Sequence, residues 1–132
     1  MKIRTLIVDD VTLARNLIRR HLGKEPEIQI VGECANGREA VNAIRNLAPD
    51  LVFLDVQMPQ IGGFEVVEIV GAKNMPLVIF VTAYDEFALK AFEINATDYI
   101  LKPFDEERLL NSVQCAKRQM KFAQEAHRQT NQ

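Results

Sequence analysis

Short, nearly continuous apolar runs alternate five times with longer stretches of helical period, and this pattern limits the folds open to the chain more than any other feature. The runs fall at 5–8, 28–31, 51–54, 77–81 and 99–101 and are rich in Val, Ile, Leu and Phe. A strand with one wet face alternates in polarity, so runs of this kind belong to a parallel sheet covered by helices on both faces. Between them, Leu13, Leu17, Ile18 and Leu22 predict one helical stripe, and Ala40, Val41, Ile44 and Leu47 a second. Further helices are expected over 64–70, over 86–94, and from about Asp105 onward. Gly23, Gly37, Pro49, Gly62, Gly71, Pro76 and Pro103 sit near the proposed joints. The expected class is α/β, a (βα)5 doubly wound parallel sheet.

With 132 residues, 48% of them hydrophobic and 26% charged, the chain suits a single packed domain and not a disordered tail. Its net charge of -2 gives no broad basic field for nucleic acid. No apolar run approaches the ~20 residues of a membrane span, and no signal peptide precedes the first strand. A cytoplasmic location without membrane contact is therefore expected. Cys34 and Cys115 lie far apart without metal-ligand spacing and read as reduced thiols. Apolar residues thin out after Phe122, so the domain is expected to occupy 1–122 and a polar tail or linker 123–132. In the last helix Leu109, Val113, Ala116, Met120 and Ala123 form a seam whose first half is expected to face the core.

The residues with chemical potential cluster at strand ends. Asp9 and Asp10 follow the first strand, Asp55 the third, Thr82 the fourth, and Lys102 with Pro103 the fifth. Parallel α/β sheets bind ligands beyond the carboxyl ends of their strands, where the strand order reverses. If the order is 2-1-3-4-5, the first and third strands are neighbours there, and the three acids converge. Three close carboxylates repel one another unless a cation intervenes. Mg2+ suits such a site, because it takes oxygen ligands, keeps several waters and uses one or two carboxylates. Lys102 adds a positive charge and Thr82 a hydroxyl, both suited to stabilising a phosphoryl group in transit. A carboxylate can accept that group covalently. Asp55 is the candidate acceptor, since it stands alone while Asp9 and Asp10 form a pair. A helix-capping role for Asp10 is plausible by itself but leaves Asp55, Thr82 and Lys102 unexplained.

Taken together, Val8-Asp9-Asp10, Leu54-Asp55-Val56-Gln57-Met58-Pro59 with Gly63, Val81-Thr82-Ala83 and Tyr99-Ile-Leu-Lys102-Pro103-Phe104 resemble the response-regulator receiver family over about the first 120 residues. The segments 82–93 and 98–104 are further similar to receivers that precede a LytTR-type DNA-binding domain. This resemblance implies a flavodoxin-like fold with strand order 2-1-3-4-5. It implies that Asp55 takes a phosphoryl group from a sensor histidine kinase or a small donor such as acetyl phosphate. Asp10, Asp55 and the backbone carbonyl of Gln57 would hold Mg2+ directly, with Asp9 acting through metal-bound water. Thr82 would move toward the phosphoryl group, Tyr99 would swing inward, and Lys102 would read the phosphate charge. The output face would comprise the fourth helix, fifth strand and fifth helix, with homodimerisation as a possible consequence. DNA contact is expected only through an effector domain outside these residues. The domain would assist its own phosphorylation and dephosphorylation without turning over a separate substrate, and the Lys102–Pro103 bond would be cis.

At Gly62 the chain departs from the small polar residue common in the family, a change expected to loosen the loop after the acceptor. Gln57 and Tyr84 occupy positions that, in the family, help set the lifetime of the phosphoryl group. His21 is expected to meet a helix dipole, and Phe53, Phe64, Phe80, Phe87 and Phe92 to belong to the core. Lys117, Arg118 and Lys121 read as a solvated or protein-contacting face. A flavodoxin-like cofactor binder would need a Ser/Thr/Gly-rich phosphate loop where Asp9-Asp10-Val-Thr12 stands. An aspartyl-phosphate hydrolase would carry Asp-x-Asp after its first strand. The intact acidic, hydroxyl and lysine positions argue against a degenerate receiver serving only as a binding module.

Overall fold

The computed structural model describes residues 1–130. Strand and helix alternate through β1 (Ile3–Val8), α1 (Thr12–Leu22), β2 (Ile28–Cys34), α2 (Gly37–Leu47), β3 (Leu51–Leu54), α3 (Gly63–Val70), β4 (Leu77–Thr82), α4 (Ala88–Glu93), β5 (Asp98–Leu101) and α5 (Glu106–Thr130). A single 3-10 turn, Ala72–Asn74, precedes β4. All strand pairs are parallel, and the order is β2-β1-β3-β4-β5. This is the doubly wound parallel sheet expected from the apolar runs, in the flavodoxin-like strand order that the resemblance implied.

Successive side chains of a strand point to opposite faces, and both faces here are covered. Leu6, Val8, Val52, Leu54 and Phe80 pack with Ala40, Ile44, Phe64 and Val67 of α2 and α3. Ile3, Ile7, Phe53, Ile79 and Val81 pack on the other side with Ile18 and Leu22 of α1 and with Leu109, Val113 and Ala116 of α5. The first half of the α5 seam therefore faces the core, as expected. The α2 N terminus is closed by Asn36, whose side chain accepts from the Glu39 N–H at 2.8 Å.

Several sequence expectations need correction. Leu13 is 79% exposed. At 100° per residue it lies on the far side of α1 from Leu22, so it never belonged to the stripe centred on Ile18 and Leu22. Phe92 is 78% exposed, because its neighbour Ala91 takes the inward position on α4. That helix is also shorter than expected, starting at Ala88 after Phe87, which offers no side-chain cap. The last helix, α5, continues to Thr130 with every side chain from Lys121 to Arg128 exposed, so the segment expected as a polar tail or linker is helical through 130. Ala, Gln, Glu, Lys and Arg favour helix without help from packing, so loss of apolar residues marks the end of burial and not of the helix. The last two residues of the expected tail, 131 and 132, lie outside the described residues.

A polar clamp joins β5 to α5. Arg108 donates from Nη1 and Nη2 to the two Asp98 carboxylate oxygens at 2.6 and 2.9 Å, and Ser112 Oγ donates to Asp98 at 2.6 Å. Burial alone would raise the Asp98 carboxyl, but these hydrogen bonds outweigh it and hold the group below the usual carboxylate range. Arg108 also donates to the Tyr99 carbonyl at 3.0 Å, fixing the strand that leads to Lys102.

The burial difference between two phenylalanines gives a direct check. Phe53→Ala should lower the unfolding free energy by about 3–5 kcal/mol, whereas Phe92→Ala should change it by less than about 0.5 kcal/mol, both measured by urea denaturation.

Candidate functional site

Strand register places the reactive side chains together. Val8 pairs with Leu54, so Asp9 and Asp55 leave the sheet side by side. The Asp9 N–H donates to the Cys34 carbonyl and the Asp55 N–H to the Val8 carbonyl, each at 3.1 Å. On the opposite side Thr82 pairs with Leu101, and the Lys102 N–H donates to the Thr82 carbonyl at 2.8 Å. The Lys102–Pro103 peptide is cis, as the resemblance implied.

Asp9, Asp55 and Thr82 are 1%, 5% and 0% exposed, while Asp10 is exposed at the mouth. One carboxylate oxygen from each of the three acids lies within 4.8 Å of the others. Lys102 Nζ donates to Asp9 Oδ2 at 2.7 Å and to Asp55 Oδ2 at 3.1 Å. The second Asp55 oxygen accepts from the Gln57 N–H at 3.2 Å, which brings the Gln57 backbone to the pocket edge. Among the described residues the Asp10 carboxylate has no hydrogen bond or ion pair. With the acids ionised, the single lysine leaves the cluster with excess negative charge. Hard oxygen donors at this spacing, one of them uncommitted, fit Mg2+.

The alternative capping role for Asp10 finds no support, since α1 has no side-chain cap. It is Asp9 that turns onto the backbone, Oδ1 accepting from the Val11 N–H at 2.9 Å. Gly62 does not loosen the loop after Asp55 but lets it pack closely. A Cβ at Gly62 would lie 2.5 Å from the Val56 carbonyl oxygen, and one at Gly63 would lie 2.4 Å from the Asp55 carbonyl oxygen. The two glycines let α3 start directly against the segment that follows Asp55, and the Gly63 N–H donates to the Val56 carbonyl at 2.9 Å. Tyr99 is half-buried, and its hydroxyl donates to the Tyr84 carbonyl. The Tyr84 N–H donates in turn to Thr82 Oγ1 at 3.4 Å, so one loop joins the two switch candidates. Phe87 is partly buried beside Tyr84 and Phe64. His21 packs edge-on to Phe104 and lies 3.9 Å from Glu106. Lys117 pairs with Glu25 at 2.8 Å and with Glu27 at 3.2 Å, a protein contact within the chain. Sequence reasoning missed Arg15, which donates to the Asp9 carbonyl at 2.7 Å. Only the folded contact between α1 and the strand ends reveals it.

A family model described as the response regulator receiver domain matches residues 5–114. The transcriptional regulatory protein BtsR of Salmonella typhi is 51% identical over 107 residues, covering 81% of this chain and 45% of that protein. The chain thus spans about half the length of the curated relatives it matches. Among solved structures, the REC domain of AraT, a response regulator from Geobacillus stearothermophilus, superimposes with a TM-score of 0.84 at 31% identity, covering 94% of this chain and 99% of that one. The response regulatory domain of mrkE from Klebsiella pneumoniae gives 0.79 at 30% identity, covering 86% and 94%. No helix among the described residues is long and apolar enough to cross a membrane.

Burial pushes the Asp55 carboxyl up; Lys102 opposes the shift and Asp9 adds to it, leaving the group above the usual carboxylate range. Burial alone would lower Lys102, but its hydrogen bond to Asp9 and the charge of Asp55 outweigh this and raise it, so the ammonium stays charged. A carboxyl raised by folding holds its proton more tightly in the native state. Its stabilising contribution is present below the ordinary carboxylate range and is lost as pH rises through the raised value. Without divalent cations, Asp55→Asn should therefore raise Tm by a few degrees near pH 7, and the gain should shrink toward pH 4. Calorimetric scans across that pH range check both the sign and the trend.

Proposed function

The chain belongs to the response regulator receiver domain family, and from that premise we propose that Asp55 is its phosphoryl acceptor, charged by a sensor histidine kinase or by a small phosphodonor. The observation that carries the reading is the buried Asp55 carboxylate, held at 3.1 Å by Lys102 within the three-acid cluster. An Asp55 oxygen would attack phosphorus, the P–N bond to the kinase histidine would break, and the leaving imidazole would retain its electron pair. Lys102 would neutralise charge on the phosphoryl oxygens, exchanging part of its present contact with Asp55 for one with phosphate. Thr82 would offer its hydroxyl to the same group, and Tyr99 would follow through their shared loop at Tyr84. Asp10, Asp55 and the Gln57 carbonyl would bind Mg2+, with Asp9 acting through water. Bound there, Mg2+ supplies charge neutralisation to phosphoryl transfer. The chemistry is self-modification, with no separate substrate turned over.

The output would pass through the face made by α4, β5 and α5. Leu89, Phe92 and Leu101 are 70%, 78% and 43% exposed, an apolar set suited to a second copy of the chain. Control of transcription through a DNA-binding domain, of LytTR type, fits a chain that matches about half of a transcriptional regulatory protein. On that reading the protein would act in the cytoplasm, with the receiver occupying 1–122 and a linker beginning at 123.

Incubation with acetyl phosphate and Mg2+ should add one phosphoryl mass to the intact chain, and Asp55→Asn should abolish the addition. Persistent labelling of that variant would remove Asp55 as acceptor. Lys102→Ala should slow labelling on the order of 10²-fold, followed by mass spectrometry over time. Beryllofluoride should shift sedimentation toward a dimer in the wild type, and Phe92→Asp should prevent the shift. Identical sedimentation with and without the mimic would count against the proposed face.

A further inference from the structure

The peptide joining Asp9 to Asp10 is held from outside the pocket. Arg15, near the start of α1, leans toward the helix N terminus as helical side chains do. Its Nη1 donates to the Asp9 carbonyl at 2.7 Å, its Nη2 to Thr12 Oγ1 at 3.3 Å and its Nε to Glu33 Oε1 at 3.2 Å. Glu33 belongs to β2 and immediately precedes Cys34, whose carbonyl receives the Asp9 N–H. The Arg15 and Glu33 side chains are only 16% and 17% exposed, and Arg19 reaches the same Glu33 from the next turn of α1. The result is a chain of support: β2 holds Glu33, Glu33 holds Arg15, and Arg15 holds one carbonyl.

A peptide is a rigid plane, so holding its carbonyl orients the whole plane, the Asp10 nitrogen included. The rest of Asp9 is already tied, its N–H by Cys34 and its carboxylate by Val11 and Lys102. The remaining freedom of that peptide is rotation of the plane shared with Asp10, and that rotation sets the direction from which the Asp10 side chain starts. We propose that Arg15, anchored by Glu33, is a positioning residue for the cation site, aiming Asp10 by fixing the Asp9 carbonyl. This inference rests on the reading of Asp9, Asp10 and Asp55 as an Mg2+ site. Arg15 acts through geometry and against its own charge, because a nearby guanidinium repels a cation. Two explanations therefore predict opposite signs when Arg15 is neutralised.

The test is an Mg2+ titration of the whole chain followed by amide NMR, well below Tm, whose spectra also report folding. The variants are Arg15→Met, Arg15→Lys, Glu33→Gln and the Arg15→Met/Glu33→Gln pair. Loss of a group that orients a metal ligand weakens affinity by about 10- to 100-fold, and Arg15→Met should weaken Mg2+ binding by about tenfold. Glu33→Gln should weaken it in the same direction, and the pair should bind no more weakly than Arg15→Met alone. Arg15→Lys keeps the charge but cannot hold all three contacts, so it should lie between Arg15→Met and wild type. Unchanged or tighter binding by Arg15→Met would overturn the proposal, as would full additivity in the pair. Should Arg15→Met fail to fold, an Arg15→Lys affinity equal to wild type would overturn it instead. Absence of Mg2+-dependent shifts near Asp9, Asp10 and Asp55 in the wild type would overturn the site reading itself, and this inference with it.

Discussion

The ammonium of Lys102, shared between Asp9 and Asp55, lets two carboxylates stand in a nearly dry pocket without forcing each other apart. The three residues come from the ends of β1, β3 and β5, so one side chain ties an edge strand to the two central strands it does not pair with. Sheet register brings the groups near, and the charge completes the arrangement. On the reading of Asp55 as acceptor, an incoming anion would compete for an ammonium already engaged, and its arrival would redistribute bonds that reach β5 and, through the Arg108 clamp, α5.

Close backbone approach does a second part of the work. Around Asp55 the segment turns back on itself, with α3 starting against the Asp55 and Val56 carbonyls because Gly62 and Gly63 carry no Cβ. Gly37, opening α2, meets Ile61 from the other side at a distance where a Cβ would clash. The loop after Asp55 is thus packed between two helix starts. Its conformation is set by sterics.

Much of this architecture could be read from the sequence because the signals were local. Continuous apolar runs such as residues 51–54 specified buried parallel strands, and acids or a lysine at their ends marked the pocket. What stayed hidden depends on angles and long-range contacts. Leu13 looked like part of an apolar stripe although it points away from Leu22. Phe92 looked like core because hydrophobicity alone does not separate a buried position from an exposed apolar one. The effect of Gly62 was misjudged because a missing side chain reads as freedom until its neighbour at Val56 is seen. Arg15 has no visible role in the sequence because two of its three partners come from the β1 end and from β2, while its own position looks like an ordinary helix surface.

The uneven anchoring of α5 has a mechanical consequence. Leu109, Val113 and Ala116 seat its first turns on the sheet, and the part from Lys121 to Thr130 continues as helix past the last of them. Ten residues of helix measure about 15 Å, so a tilt of roughly 10° at Met120 displaces the far end by roughly 2.5 Å. A shift at the base too small to break any packing contact becomes, at that distance, comparable to the spacing over which a hydrogen bond is made or lost. A helix extended in this way would convert a change of angle into a change of position.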